Sequence, residues 1–476
     1  MKMPNADLSL RLQSPLTRSQ SSTQFVAEVL HVLRQVDVPR ETLRKDFRRL
    51  FADSLRDEFG VDAQQYLHNG LQLLLDNVVD DSGRTVAEIV NTSTTHVQLV
   101  MVQGTKSPVS LSLNQQRVSQ WISRSLAEPH FTAVAQHAAQ PNPQDILFAI
   151  GATAECAPTL PWLSAGGVVA AVSRPNHVKW AELIRNARNS AGTLIVPVLS
   201  DVDVTLLTDE ELAQQAGIDI MTDLDAVAGF LRAVVQQPHR KLIVGGYIYI
   251  GGAAHIAVQA AQDSVMVLAQ SLEPTAVLTW LATPTDQTPV PLSVLESAVE
   301  DYASRNSLTE VRDWLWQRLG YCLPPQISLF ATAQQTLAIR DCASGVQGPN
   351  YVMAKRAQRW RAYLSAMNGM SVAYCVTPPA RTHSVLDHTL LHATYRGAPR
   401  FGLRPFDVAT TKMLSAMSLA YQVENPVAFD ELDPTALHMK YAVHAGLWRL
   451  KYETDSVWVP ATVRGALALV LPKKFG

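Results

Sequence analysis

Tyr351 and Lys355 stand four residues apart in the run Gly348-Pro349-Asn350-Tyr351-Val352-Met353-Ala354-Lys355-Arg356. On an α-helix that spacing stacks the two side chains on one face. A phenol beside an ammonium is a candidate acid, because the positive charge favours phenolate and lowers the phenol's pKa. The Gly-Pro pair marks where such a helix starts. Met353, Ala357, Trp360, Leu364 and Met367 follow at helical spacing as a separate apolar stripe. The expected helix therefore buries one side and presents the Tyr-Lys pair on another. Further along, Lys355, Arg356, Arg359 and Arg361 make its polar side basic. Charges of this kind ordinarily form a solvated face.

The elements that must hold such a pair are legible in the middle of the chain. Residues 146–150 are a continuous apolar run ending in Gly151-Ala152-Thr153, the appearance of a buried parallel strand. Similar runs at 168–172, 193–199, 241–244 and 276–282 alternate with helical stretches at 178–189, 222–235 and 255–272. Thr222 and Asp225 have the spacing of a capping box at the start of the second of these. Strands at 327–332 and 371–376 flank the Tyr351 helix. This alternation predicts right-handed βαβ crossovers and an α/β fold with a doubly wound, Rossmann-like parallel sheet.

Around it, residues 1–24 are expected as a flexible tail and 25–143 as a mainly helical N-terminal domain. That domain has helices at 25–33, 40–59, 63–78 and 118–126 and short strands at 85–90 and 96–102. Pro141-Asn142-Pro143 closes it. The Rossmann-like domain spans 144–425, with a polar insertion at 284–325 serving as a lid or an interface. Residues 426–476 are a C-terminal extension, with a hairpin expected from 448–452 and 457–459.

In a doubly wound sheet, ligands bind at the carboxyl ends of the strands. Gly151, Ala152 and Thr153, then Ser173 and Arg174, then Asp201, and then Gly245 and Gly246 all fall there. A Gly at the first turn lets a dinucleotide pyrophosphate approach the backbone. An Arg after the second strand is placed for an adenosine 2′-phosphate, which favours NADP over NAD. An acid after the third strand can hydrogen-bond adenine, and small residues after the fourth leave room for the ribose.

With Tyr351-x-x-x-Lys355 following these features, residues 145–385 resemble the short-chain dehydrogenase/reductase superfamily, including a strand ending in Pro378-Pro379 after the Tyr helix. The resemblance implies an NADPH-dependent carbonyl reductase. Lys355 would bind the nicotinamide ribose and lower the pKa of Tyr351, and Tyr351 would protonate the carbonyl oxygen. Thr283 or Thr285 would be the hydroxyl that orients the carbonyl. The Tyr-to-Lys spacing matches the ketoreductase type, and the substrate is expected to be a ketone or acyl thioester. The basic helix end would then meet a phosphate of NADPH or of a coenzyme A thioester. The sequence departs from the family's Gly-x-x-x-Gly-x-Gly at Glu155 and Ala157. That departure supports a competing expectation, an inactive Rossmann-like scaffold or subunit of a larger assembly.

Composition narrows the remaining classes. A formal net charge of −2 gives no electrostatic argument for nucleic acid. Cys156, Cys322, Cys342 and Cys375 are scattered, as expected of reduced thiols in a cytoplasmic protein without a zinc site. His383, His388 and His392 cluster without a carboxylate at metalloprotease spacing, so no metal is expected. There is no Gly-x-Ser-x-Gly elbow, no P-loop and no apolar run long enough to span a bilayer. A homo-oligomer or larger complex fits the fold class.

Overall fold

The computed structural model describes residues 10–137, 140–200, 202–343 and 347–470. Three helices open the chain: α1 (Ser22–Arg34), α2 (Arg40–Glu58) and α3 (Ala63–Asp76). A short helix α4 (Val86–Thr92) stands where a strand was expected. The reason is a reciprocal cap: the Thr85 side chain accepts from the Glu88 backbone while Glu88 accepts from the Thr85 N–H. Residues 11–12 pair with 78–79, and Leu10 and Leu12 are buried, so this part of the expected tail is fastened to the body.

Ten strands follow. They are β1 (Gln98–Gln103), β2 (Ile146–Ile150), β3 (Val168–Val172), β4 (Thr193–Val198), β5 (Leu242–Gly246), β6 (Val277–Ala282), β7 (Gln287–Pro291), β8 (Leu329–Ala331), β9 (Thr336–Asp341) and β10 (Val372–Val376). Seven form one sheet in the order β10-β6-β5-β2-β3-β4-β1. All its pairings are parallel except β1 on β4. The chain winds outward from β2 through β3 to β4, then returns to β5 on the other side of β2. This is the strand-order reversal of a doubly wound sheet, and its crevice lies between the ends of β2 and β5. Residues 98–103, from the segment expected as a separate helical domain, supply the antiparallel edge. The expected insertion contributes β7, which joins β8 and β9 in a small antiparallel sheet ordered β8-β9-β7.

The connecting helices that matter for the site are α5 (Thr159–Ser164), α6 (His177–Arg188), α7 (Leu224–Val235), α8 (Ala254–Leu272), α9 (Ser307–Gln317), α10 (Gly348–Met367), α11 (Thr389–Gly397), α12 (Val408–Glu424) and α13 (Trp458–Val470). At α7 the expected capping box is absent, because Asp225 instead accepts from Thr95 Oγ1 at 2.9 Å. Where a C-terminal hairpin was expected, a 3₁₀ turn at Asp455–Val457 leads into α13. Pro460 falls in the first turn of that helix, where its missing N–H costs little. Gly465 then lets the α13 backbone come against Ala393 of α11.

Alternate residues of β2 serve opposite faces, as the period of a strand requires. Ile146, Phe148 and Ile150 join one core with α1–α3, α7, α8 and α10. Leu147 and Ala149 join the other with α5, α6 and α12. Between the sheet and the N-terminal helices, α10 is enclosed on all sides. From Tyr351 to Trp360 every residue is buried, which corrects the expectation of one solvated face. Its Trp360 ring reaches α3 at Gly70, where a Cβ would stand 2.6 Å from the ring.

Enclosure requires the basic residues of α10 to find partners. Arg356 pairs with Glu58 of α2 and with Asp286, at 3.3 Å. Arg359 pairs with the same two carboxylates, Glu58 at 3.3 Å and Asp286 at 3.0 Å. Arg361 binds Asp263 of α8 through two bonds of 2.7 Å. The expected solvated or phosphate-binding basic end is therefore used inside the protein. Breaking such a buried network from one side leaves an uncompensated charge, at a cost of ~3–5 kcal/mol. Glu58→Gln should lower the urea midpoint by a corresponding amount, while Glu41→Gln, at the exposed pair with Arg44, should change stability by well under ~1 kcal/mol. Equal midpoints for wild type and Glu58→Gln would show that the network contributes nothing.

Candidate active site

The turn after β6 brings Thr283, Thr285 and Asp286 against the first turn of α10. Thr283 Oγ1 lies 2.8 Å from Thr285 Oγ1, which lies 3.0 Å from the Tyr351 hydroxyl. Two of the catalytic residues expected from the sequence, Tyr351 and Thr283, are thus joined through Thr285. The third, Lys355, sits one turn further along α10, its Nζ 6.0 Å from the Tyr351 ring centre. Lys355 Nζ donates to the Leu281 carbonyl at 3.3 Å and to Gln358 Oε1 at 3.2 Å. From there Gln358 donates to Gln259 of α8 at 2.8 Å.

Sequence reasoning missed two neighbours. His255, in the first turn of α8, packs on the Tyr351 ring at 5.4 Å, and Tyr249 packs on both at 5.7 and 4.9 Å. His255 is 1% exposed with Nε2 unpartnered, whereas Tyr249 is 56% exposed. Their signal in the sequence was an aromatic and an imidazole in the connection after Gly245-Gly246, at the end of an expected strand.

Burial sets the acid-base character of this group. It raises the Tyr351 phenol well above its ordinary value, and hydrogen bonds from the threonines only partly offset it. The lowered phenol pKa expected from the neighbouring ammonium is therefore reversed. Desolvating a phenolate outweighs a cation held 6.0 Å from the ring. Burial also brings Lys355 down to about 8. Burial, and then the Lys355 charge, take His255 down to about 3, so its imidazole is neutral at pH 7.

The expected cofactor residues gather at the same edge of the sheet. Gly151, at φ +92°, and Ala152 both donate their N–H to the Val172 carbonyl, at 2.9 and 3.1 Å. A Cβ on Gly151 would stand 2.7 Å from Ile248, so this glycine admits the connection after β5. Thr153 and Ser173 share a hydrogen bond of 2.5 Å. Arg174 is exposed, its carbonyl accepting from Trp180 at 3.1 Å. Asp201 lies outside the described residues. Beside Gly245 the space is filled by the Tyr247 ring, and beside Gly246 by Gln262 and Met266. Glu155 turns to His383, accepting from its backbone N–H at 3.1 Å and meeting its Nδ1 at 3.0 Å.

Of the residues expected to hold a dinucleotide, Thr153, Ser173 and Arg174 follow β2 and β3, whereas Tyr351 and Lys355 are buried on α10. The pyrophosphate between them would meet less favourable ground. Pro158 and Pro161 remove two backbone donors at the start of α5, which is only six residues long, and Glu155 adds an anion. His388 caps a helix through Nδ1, and among the described residues no group of three His, Cys, Asp or Glu could hold a metal ion. No helix among them is long and apolar enough to cross a membrane.

No family model and no curated protein matches the sequence. Two solved structures are similar at low level. The terminal R domain from the myxalamid PKS-NRPS biosynthetic pathway has a TM-score of 0.29 and 11% identity, over 62% of this chain and 66% of that one, just under two thirds. A thiolation-reductase di-domain from an archaeal non-ribosomal peptide synthetase has a TM-score of 0.29 and 13% identity, over 97% and 95%. Likeness at this TM-score carries no inference about activity. The Rossmann-like class rests on the sheet order itself.

The Lys355 environment gives a pH signature. The folded protein releases this proton near pH 8, while the unfolded chain holds it to an ordinary value of 10.5. Between those values the unfolded state binds more protons, so this contribution makes stability rise with pH across the window. Lys355→Met should flatten that rise in urea midpoints measured from pH 7 to 10. Parallel curves for the two proteins would contradict the buried, depressed ammonium.

Proposed function

We propose that this protein is an NADP(H)-dependent reductase of the short-chain type that acts on a carbonyl group. The observation that carries the reading is the Thr285–Tyr351 hydrogen bond with Lys355 one helical turn on, set at the carboxyl edge of a doubly wound sheet. A raised phenol pKa keeps Tyr351 protonated through the physiological range, so it is available as the acid. Thr283 and Thr285 hold the phenol and orient the carbonyl oxygen toward it. Once the proton has left, the Lys355 ammonium stabilises the phenolate, and His255, neutral and unpartnered at Nε2, faces the same ring. NADPH would supply the hydride, and Lys355 and Arg174 are the residues that would hold its ribose and its 2′-phosphate.

The turn after β2 favours a second reading, a Rossmann-like scaffold or subunit that no longer turns over. Glu155, Pro158, Pro161 and the Tyr247 ring are the residues that support it.

Cofactor titration separates the two. NADPH should raise the melting temperature and change tryptophan fluorescence; no response to either NADPH or NADH at millimolar concentration would select the scaffold. Arg174→Ala should weaken NADPH by about 10–100-fold, the loss of a charge-assisted hydrogen bond, and leave NADH nearly unchanged. An equal effect on both would reject the 2′-phosphate role. Against a panel of ketones and acyl thioesters, Tyr351→Phe should abolish turnover while cofactor affinity stays close to wild type. A variant as active as wild type would remove Tyr351 as the acid.

A further inference from the structure

Helix α9 is built inside out. Its buried side is held by a carboxylate: Asp313 is wholly buried and bound by Arg305 at 2.9 Å, Arg312 at 2.6 Å and the Tyr452 hydroxyl at 2.9 Å. Its apolar residues point the other way. Leu308, Val311 and Leu315 follow at steps of three and four, Leu319 extends the row in the turn just past the helix end, Trp314 stands beside them, and each is more than half exposed. A surface helix ordinarily does the reverse and turns its apolar stripe to the core. A contiguous exposed apolar patch of this kind marks an interaction surface.

Charges at its border specify the occupant. Glu310, Trp314 and Arg318 are spaced four residues apart along one edge, with the Arg318 guanidinium stacked 4.6 Å over the Trp314 ring. Place a second α9 antiparallel across a two-fold axis near its middle. Glu310 of each copy then meets Arg318 of the other, Leu308 meets Leu319, and Val311 meets Leu315. The stripe and its flanking charges are complementary to themselves, as a two-fold interface requires. We infer that the chain forms a homodimer in which α9 packs antiparallel on α9 of a second copy. The surface is formed by residues 307–319, within the segment that interrupts the βα alternation.

The experiment is sedimentation velocity on the full chain over a wide concentration range. Wild type should reach twice the mass of the 52.2 kDa chain. Val311→Asp with Leu315→Asp should remain monomeric while keeping the far-UV circular dichroism and cooperative unfolding of a folded chain, since both side chains are more than half exposed. Glu310→Arg and Arg318→Glu should each weaken association by about tenfold or more, and the two together should restore it. A wild-type monomer throughout the range would overturn the inference. So would a dimer indifferent to Val311→Asp with Leu315→Asp, or a double charge reversal no better than either single one.

Discussion

Two arginines and two carboxylates, all buried, hold this structure in register. Arg356 and Arg359 lie on one face of α10, Glu58 ends α2, and Asp286 stands in the turn between β6 and β7. None of the four can move away without leaving a charge in a low-dielectric interior. The candidate site depends on the same four residues through the chain itself. Asp286 follows Thr285, and Arg356 follows Lys355. Fixing Asp286 to Arg356 therefore fixes the threonine turn against the helix that carries Tyr351. The 3.0 Å bond between Thr285 and Tyr351 is set by this network beside it.

Enclosure also decides the chemistry of the site. Under the α1–α3 layer, α10 has no face toward solvent, and the phenol, the ammonium and the imidazole near it all titrate as desolvated groups. A phenol that stays protonated suits an acid, and an ammonium that releases its proton near pH 8 is a pH-sensitive partner for it. The turn after β2 is governed by different constraints. Gly151 gives its space to Ile248, and Gly245 gives its space to Tyr247, so the chain itself occupies the crevice beside these glycines. The result is a tightly packed cluster around Tyr351 and a crevice that the chain itself fills beside β2 and β5.

Much of the fold was legible. The apolar runs of β2 to β6 and β10 appear as strands within a residue or two, because strands buried on both faces have no polar positions to blur them. Residues 85–90 were misleading because β-branched residues suggest a strand, while the Thr85-Glu88 pair that caps a helix is a more local and stronger signal. The 457–459 run failed for a similar reason: Val457 is buried from the 3₁₀ turn, while Trp458 and Val459 open α13, with Val459 on its exposed side. The basic residues of α10 could not be placed at all, since Glu58 lies almost three hundred residues before Arg356 and no local pattern links them.

From the sequence alone came the alternation that makes a doubly wound sheet, the Tyr351–Lys355 spacing, and the strand-end positions of Gly151 and Arg174, whereas Gly245 proved to lie inside β5. These are properties of period and neighbour, and period is written in the chain. Tertiary structure decided what the spacing means. It buried the basic side of α10, paired its arginines with distant carboxylates, brought Thr285 and His255 to Tyr351, and turned the apolar face of α9 outward. The physical reason is common to all four: solvent exposure and charge compensation are set by what packs against an element, and that partner is chosen by the whole chain.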